Sequence, residues 1–419
     1  MSGPRVDSGP VYRTGWQFYG WWGIVLPAFL VIWVSNALTL AGLNVFDAKL
    51  IAELGVERGP LKFGDTIQLL VSGALAPLGG WLADRYGVRP VMVAGALLLS
   101  GGLYGYSFVD SLADVYLMRV LTGAALAGAG LVICVTIVSR WFVAKRGLAL
   151  GLMLSGTSLG NALFPQLNTA LIAAHGWREA LTIISLIPLL LLPFILFAIK
   201  EWPDRLGMHA YGAQAAASGV DPRLLSGYEF RDALRSANFW LIGTAAFCTF
   251  YAILGLANNL FLHMSDLGFG PADAARAYFP LFVMGLLGKI AAGALADMLP
   301  RKAVFGGCLA LMFTGAILLA TLKPGLVIPA LYLFGLGWGG NYTMLQGLVA
   351  DVFGARSLGK ILGGITVLDA TGGALGPWFT GALFDVTHDY RLGFSVIVVL
   401  IAVALAAILF VRLPERAAH

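Results

Sequence analysis

A chain of 419 residues that is 59% apolar and 12% charged, with a mean hydropathy of +0.83, is excluded from the ordinary soluble domains. Its net charge of +5 lies mostly in the stretches between apolar runs, so it is a topology signal, and nucleic-acid binding is set aside. Cys134, Cys248 and Cys308 are widely spaced inside apolar runs, which excludes a disulfide framework and makes them small packing residues.

In chain order, Met1 to Gln17 is polar and the first apolar run is too long for a cleavable leader, so residues 1–19 are expected to be a tail. Runs able to form membrane helices of about 20 residues follow near 20–43, 61–83, 88–109, 112–137, 145–169 and 179–199. A polar interruption over 200–237 comes next, with Gly227 to Ser236 able to form a short amphipathic helix. A second set of runs lies near 238–263, 273–297, 303–322, 325–350, 358–384 and 391–412, before a tail at 413–419. The expected architecture is an all-α membrane protein of 12 transmembrane helices in two pseudo-symmetric six-helix bundles, 20–199 and 238–412, joined by a linker.

Basic residues orient it. With both termini in the cytoplasm, 18 Lys and Arg fall in cytoplasmic segments, 7 in outside segments and 2 within spans. A monomer in the cell inner (plasma) membrane is the expectation.

The two halves repeat each other. Gly80-Trp-Leu-Ala-Asp84-Arg85-Tyr-Gly87-Val-Arg89 recurs 213 positions later as Gly293-Ala-Leu-Ala-Asp297-Met-Leu-Pro-Arg301-Lys302. Gly147 through Gly160 and Pro165 are echoed at 212 positions by Gly359 through Gly372 and Pro377. Duplicated six-span units are an architecture of secondary transporters. Glycine, at 54 residues, supplies Gly-x-x-x-Gly pairs such as Gly156/Gly160 and Gly372/Gly376 for close helix contact. An acid followed by basic residues at a helix end can bridge to neighbouring helices in one conformation and release them in another. Asp84, Arg85 and Arg89, with Asp297 and Arg301 as a weaker set, are therefore candidate gating residues.

No His, Cys or carboxylate constellation supports a metal site, a cofactor or an enzyme. Gly335-Leu-Gly337-Trp-Gly-Gly340 matches a dinucleotide fingerprint in letters only, since it lies inside an apolar run with no strand before it. His175, His263 and His388 fall near span ends and are expected at the interface.

The Gly80–Arg89 loop and its weaker copy resemble the loops between spans two and three, and eight and nine, of the major facilitator superfamily. The segment Arg140-Trp141-Phe142-Val-Ala-Lys145-Arg146-Gly147-Leu-Ala-Leu-Gly151, with Tyr19-Gly20-Trp21-Trp22, resembles its monocarboxylate transporter and oxalate/formate antiporter branch. That resemblance implies alternating-access transport of a small organic anion. It also places Lys289 where the branch commonly carries an arginine that pairs with the substrate carboxylate, and Asp369 where oxalate/formate antiporters carry a lysine.

Three charges lie near the middles of the runs, where each costs roughly 2.5 to 3.5 kcal/mol and is a functional suspect. They are Lys289, Asp369 and Arg119, opposite Ala76, Thr157 and Leu331 in the repeat registers. One cation and one acid suit a monocarboxylate carried with a proton. Lys289 and Asp369 are expected to face a central cavity and neutralise one another when it is empty, with a permanent structural pair as the bland reading. Arg119 either belongs to the substrate site or snorkels to Asp110 or Asp114. Gln68, Asn161, Tyr251, Asn258, Asn341 and Tyr342 are candidates for orienting the substrate, and Trp33 and Trp338 for walling its cavity. The alternatives are an anion exchanger and a non-transporting sensor of carboxylates.

Overall fold

The computed structural model describes residues 17–142, 145–212, 227–296, 298–354 and 358–413. The twelve expected spans are present as helices. In the first half they are span 1 Gly20–Asn44, span 2 Arg58–Tyr86, span 3 Val88–Tyr106, span 4 Leu112–Trp141, span 5 Arg146–His175 and span 6 Trp177–Ala198. In the second they are span 7 Ala237–Asp266, span 8 Pro271–Ala296, span 9 Arg301–Ala320, span 10 Pro324–Phe353, span 11 Leu358–Thr387 and span 12 Arg391–Phe410. Ten are long and apolar enough to cross a membrane; spans 10 and 11 are as long, at 30 residues each, but carry more glycine and polar side chains.

Local sequence explains the irregular places. Span 4 breaks at Gly130, whose extended backbone separates two helical stretches, and span 6 passes through 3-10 and π turns around Pro188 and Pro193. Pro77, Pro165, Pro329 and Pro377 sit inside helices, as packed membrane helices permit. A short helix between spans 1 and 2, Asp47–Leu54, ends on Gly55 in the left-handed conformation. The expected linker helix is present as Phe230–Arg235.

Packing repeats between the halves. Span 1 lies on span 5 as span 7 lies on span 11; spans 2 and 3 lie on span 4 as spans 8 and 9 lie on span 10. Glycine sets the closest approaches: a Cβ on Gly339 of span 10 would sit 2.8 Å from the Cα of Gly285 on span 8. The two halves touch through spans 2 and 11 and through spans 5 and 8, the pairs that a two-fold relation exchanges.

That contact is one-sided. At the end away from the chain termini (the far end), Gly59 of span 2 faces Ala382 and Asp385 of span 11, and Gly381 faces Arg58. Toward the end that carries the termini and linker (the terminal end), Gly73, Gly151, Gly293 and Gly363, on spans 2, 5, 8 and 11, face open space. The molecule is closed at the far end and open at the terminal end.

The terminal end has an aromatic knot. Phe18, just before span 1, and Trp21 of span 1 pack on Trp141, Phe142 and the linker's Tyr211, with Trp21 and Phe142 centroids 4.6 Å apart. Trp141 Nε1 donates to Lys200 O at 2.8 Å, and the Tyr19 hydroxyl donates to Ala198 O. The two segments that carried the narrower resemblance thus pack against each other and the start of the linker. The three cysteines are buried, as expected. His263 corrects its expectation: it is buried between the rings of Tyr390 and Phe394 because its polar span end is covered by span 12.

Candidate functional site

Lys289 lies on the terminal side of the middle of span 8. Its ammonium donates to Ser158 Oγ on span 5 of the other half at 3.1 Å, and stands 5.4 Å from the centroid of the Trp338 ring. Trp338 is held in turn by an edge contact with Phe282, at 5.9 Å. Among the cross-half hydrogen bonds of the described residues, Lys289–Ser158 is the nearest to the terminal end. It therefore marks the place where the halves begin to part.

Asp369, on span 11, is partly exposed and makes no hydrogen bond or ion pair among the described residues. It lies near Tyr342 of span 10. The expected pairing of Lys289 with Asp369 is absent in this open state, and so is the permanent bridge. Lys289 is turned across the interface to span 5, whereas Asp369 stays on the span 10 side of its own half. Asn341, one position before Tyr342, is buried with an Oδ1 that has no hydrogen-bond partner. Tyr251 is buried and its hydroxyl is likewise unpaired.

Other candidates are engaged elsewhere. Asn161 donates to Asn36 Oδ1 at 2.9 Å and accepts from Ala41 N, which stitches spans 1 and 5. Asn258 accepts from Asn44 Nδ2 at 3.0 Å, a bond between the halves at the far end. Gln68 donates to Thr39 O at 2.8 Å and accepts from Arg119 and Thr122, both at 3.1 Å. Trp33 packs edge-on against Phe164, with a buried Nε1 that has no partner.

Arg119 neither snorkels nor faces the opening. It is buried and pairs with Asp65 Oδ1 at 2.8 Å. Asp110 is taken by Arg178 at 2.8 Å, and Asp114 by Ser111. Asp65 also lies 3.4 Å from Lys62, which is fully buried, bonds Asp47 closely and donates to Asn44 Oδ1 at 3.2 Å. Two cations and two acids thus cancel inside the first half, and through Asn44 they are bonded to Asn258 of the second. Sequence reasoning missed Asp47, Lys62 and Asp65. The available signal was the spacing Lys62, Asp65, Gln68, three residues apart on one face of span 2.

The gating candidates sit at the terminal end. Arg85 lies over Trp81 and Tyr86, Arg89 Nε donates to Ile199 O at the end of span 6, and Arg301 pairs with Asp351 at 2.6 Å and donates to Gly347 O. All these partners belong to the same half as the arginine. Gly87, with φ of 98°, makes the turn between spans 2 and 3 in a conformation that glycine accommodates without strain. The Asp84 side chain and Asp297 lie outside the described residues.

Two like-packed six-helix bundles, joined at one end and parted at the other, are the architecture of membrane transporters built from repeated halves. The major facilitator superfamily model matches residues 22–370, and the chain belongs to that family. It is 27% identical to monocarboxylate transporter 13 of Rattus norvegicus, over 92% of this chain and 88% of that one. It is also 27% identical to the oxalate:formate antiporter of Oxalobacter formigenes, over 98% and 95%. Among solved structures it is similar in fold to a bacterial homologue of the human lysosomal transporter Spinster in an inward-facing, unoccupied conformation. There the TM-score is 0.71 and the identity 16%, with 95% of each chain covered.

Proposed function

We propose that the protein carries a small monocarboxylate, of the lactate or pyruvate kind, across the membrane by alternating access and together with a proton. The observation that carries this reading is the Lys289 ammonium, which has no carboxylate partner among the described residues and stands where the halves part. A cation kept without its counter-ion in a poorly solvated place is stabilised by an anion that arrives from solution. Similarity to monocarboxylate transporters and to an oxalate:formate antiporter supports an organic anion as that solute. Asn341 and Tyr342 border the same region, and Tyr251 lies deeper, so these three are proposed to orient the bound anion.

Asp369 supplies the proton site. Its partly exposed carboxylate has no cation beside it among the described residues, so protonation removes an uncompensated charge before the loaded halves move. With Lys289 balanced by the anion and Asp369 by the proton, the loaded transporter is close to neutral. Asp84, Arg85, Arg89, Asp297 and Arg301 serve as terminal-end gates, with the terminal end in the cytoplasm and the protein a monomer in the cell membrane.

Uptake into proteoliposomes tests this reading, with pyruvate, L-lactate, formate and oxalate as probes and an imposed proton gradient. Saturable uptake of a monocarboxylate, stimulated by acid on the side of the substrate, is expected. A Lys289→Ala variant with wild-type anion affinity contradicts it. Full-length similarity to an antiporter favours exchange as the second reading, which predicts that substrate on the trans side accelerates flux more than the proton gradient does.

A further inference from the structure

Lys289 carries its charge as a single ammonium, and a lysine does not offer the planar pair of N–H donors with which arginine grips both oxygens of a carboxylate. The structure sets a second donor beside it. Ser158 Oγ lies 3.1 Å from Lys289 Nζ and accepts its hydrogen bond. The proton of that hydroxyl is still available. Most span hydroxyls donate back to the helix, as Ser155 does to Leu152 O, Thr157 to Leu154 O and Thr249 to Ala245 O. Ser158 donates no hydrogen bond among the described residues.

We propose that Ser158 is a substrate-binding residue that completes, with Lys289, a two-donor fork for one carboxylate. The ammonium comes from one half of the molecule and the hydroxyl from the other. This rests on the carboxylate reading above. Two donors about 3 Å apart can each hold one oxygen of a carboxylate by nearly parallel bonds, which is how a guanidinium binds it. Ser158 is buried and Lys289 partly exposed, so the anion meets the ammonium first and then the hydroxyl that already stands beside it. An anion bound in this way touches both halves at the place where they part. The fork also sets specificity: it favours a planar anion with two oxygens over a spherical one of equal charge.

The test is the saturation curve for pyruvate uptake, or for oxalate if that is the anion carried, in proteoliposomes. Ser158→Ala is expected to raise KM about tenfold, the worth of one hydrogen bond to a charged group, while kcat changes less than about twofold. In a Lys289→Arg background, where the guanidinium supplies both donors itself, the same substitution is expected to raise KM by less than about twofold. An unchanged KM in Ser158→Ala overturns the proposal. So does an equal KM penalty in both backgrounds, since loss of packing is indifferent to what residue 289 donates. Should Ser158→Ala not purify as monodisperse protein, Ser158→Cys, of similar size and with a weak donor, replaces it under the same expectations. Failure of the carboxylate reading itself shows separately, as a Lys289→Ala variant that keeps the wild-type KM.

Discussion

Arg58, at the head of span 2, holds Asp266, at the end of span 7, with both terminal nitrogens at 2.6 and 2.7 Å. The same guanidinium donates to the Tyr390 hydroxyl and lies 3.7 Å from the centroid of the Phe384 ring, while Asp385 accepts from the first amides of span 2 at Arg58 and Gly59. These bonds join the halves at the far end and must break when that end opens. Arg58→Ala is expected to move the equilibrium toward the far-open state by about 1 kcal/mol, roughly fivefold, after allowance for partial exposure of the pair. Spin labels at Lys49→Cys and Ala272→Cys report it by pulsed electron resonance as a larger long-distance population. An unaltered distance distribution counts against a latch.

Removal of one charge from the buried four is expected to be costly. Lys62→Met leaves Asp47 and Asp65 facing a single cation in a dry place, for a loss of about 3 to 5 kcal/mol. The double variant Lys62→Met, Asp47→Asn keeps the Asp65–Arg119 pair neutral and is expected to be more stable than Lys62→Met alone. Thermal unfolding in detergent ranks the two; the opposite order refutes charge balance as the reason for the cluster.

Asp369→Asn separates proton coupling from anion binding. Wild-type uptake is expected to rise several-fold when the substrate side is made acid. The variant is expected to bind the anion yet show no response to the gradient. Retention of the wild-type response removes Asp369 from coupling.

Glu53, outside the spans, is held below its usual carboxylate range by hydrogen bonds from Arg178 and Trp177. A depressed folded value means that the contribution is complete above the unfolded value of about 4.5 and is lost as pH falls through the lower folded one. Hydrogen-exchange protection of Asp47–Leu54, corrected for intrinsic rates, is therefore expected to be flat near neutrality and to drop only in acid. Glu53→Gln should show the loosened segment at every pH.

Periodicity and length made the spans legible, because a membrane helix must satisfy its own backbone and stay apolar for its whole length. The structure extends many of them by a few residues, as with span 2 at Arg58–Tyr86 against 61–83. Lys289 and Asp369 were legible as charges that the repeat does not explain. The partner of Lys289 was not, because a contact between spans 5 and 8 leaves no mark in either segment. Thr157 was singled out as the counterpart of Asp369, yet it is the next residue, Ser158, that meets Lys289. Lys62 and Asp65 were missed because charge near a span end is ordinary, and only tertiary packing shows them enclosed.

The self-cancelling cluster of Asp47, Lys62, Asp65 and Arg119 has a consequence for how such a molecule changes over generations. The buried charges that balance one another lie in one half, whereas Lys289 and Asp369, which have no partner of opposite sign among the described residues, lie in the other. On the proposed function, replacing the latter pair disturbs no such balance, so cargo preference can drift at those positions of spans 8 and 11 while the self-cancelling cluster of the opposite bundle stays unchanged.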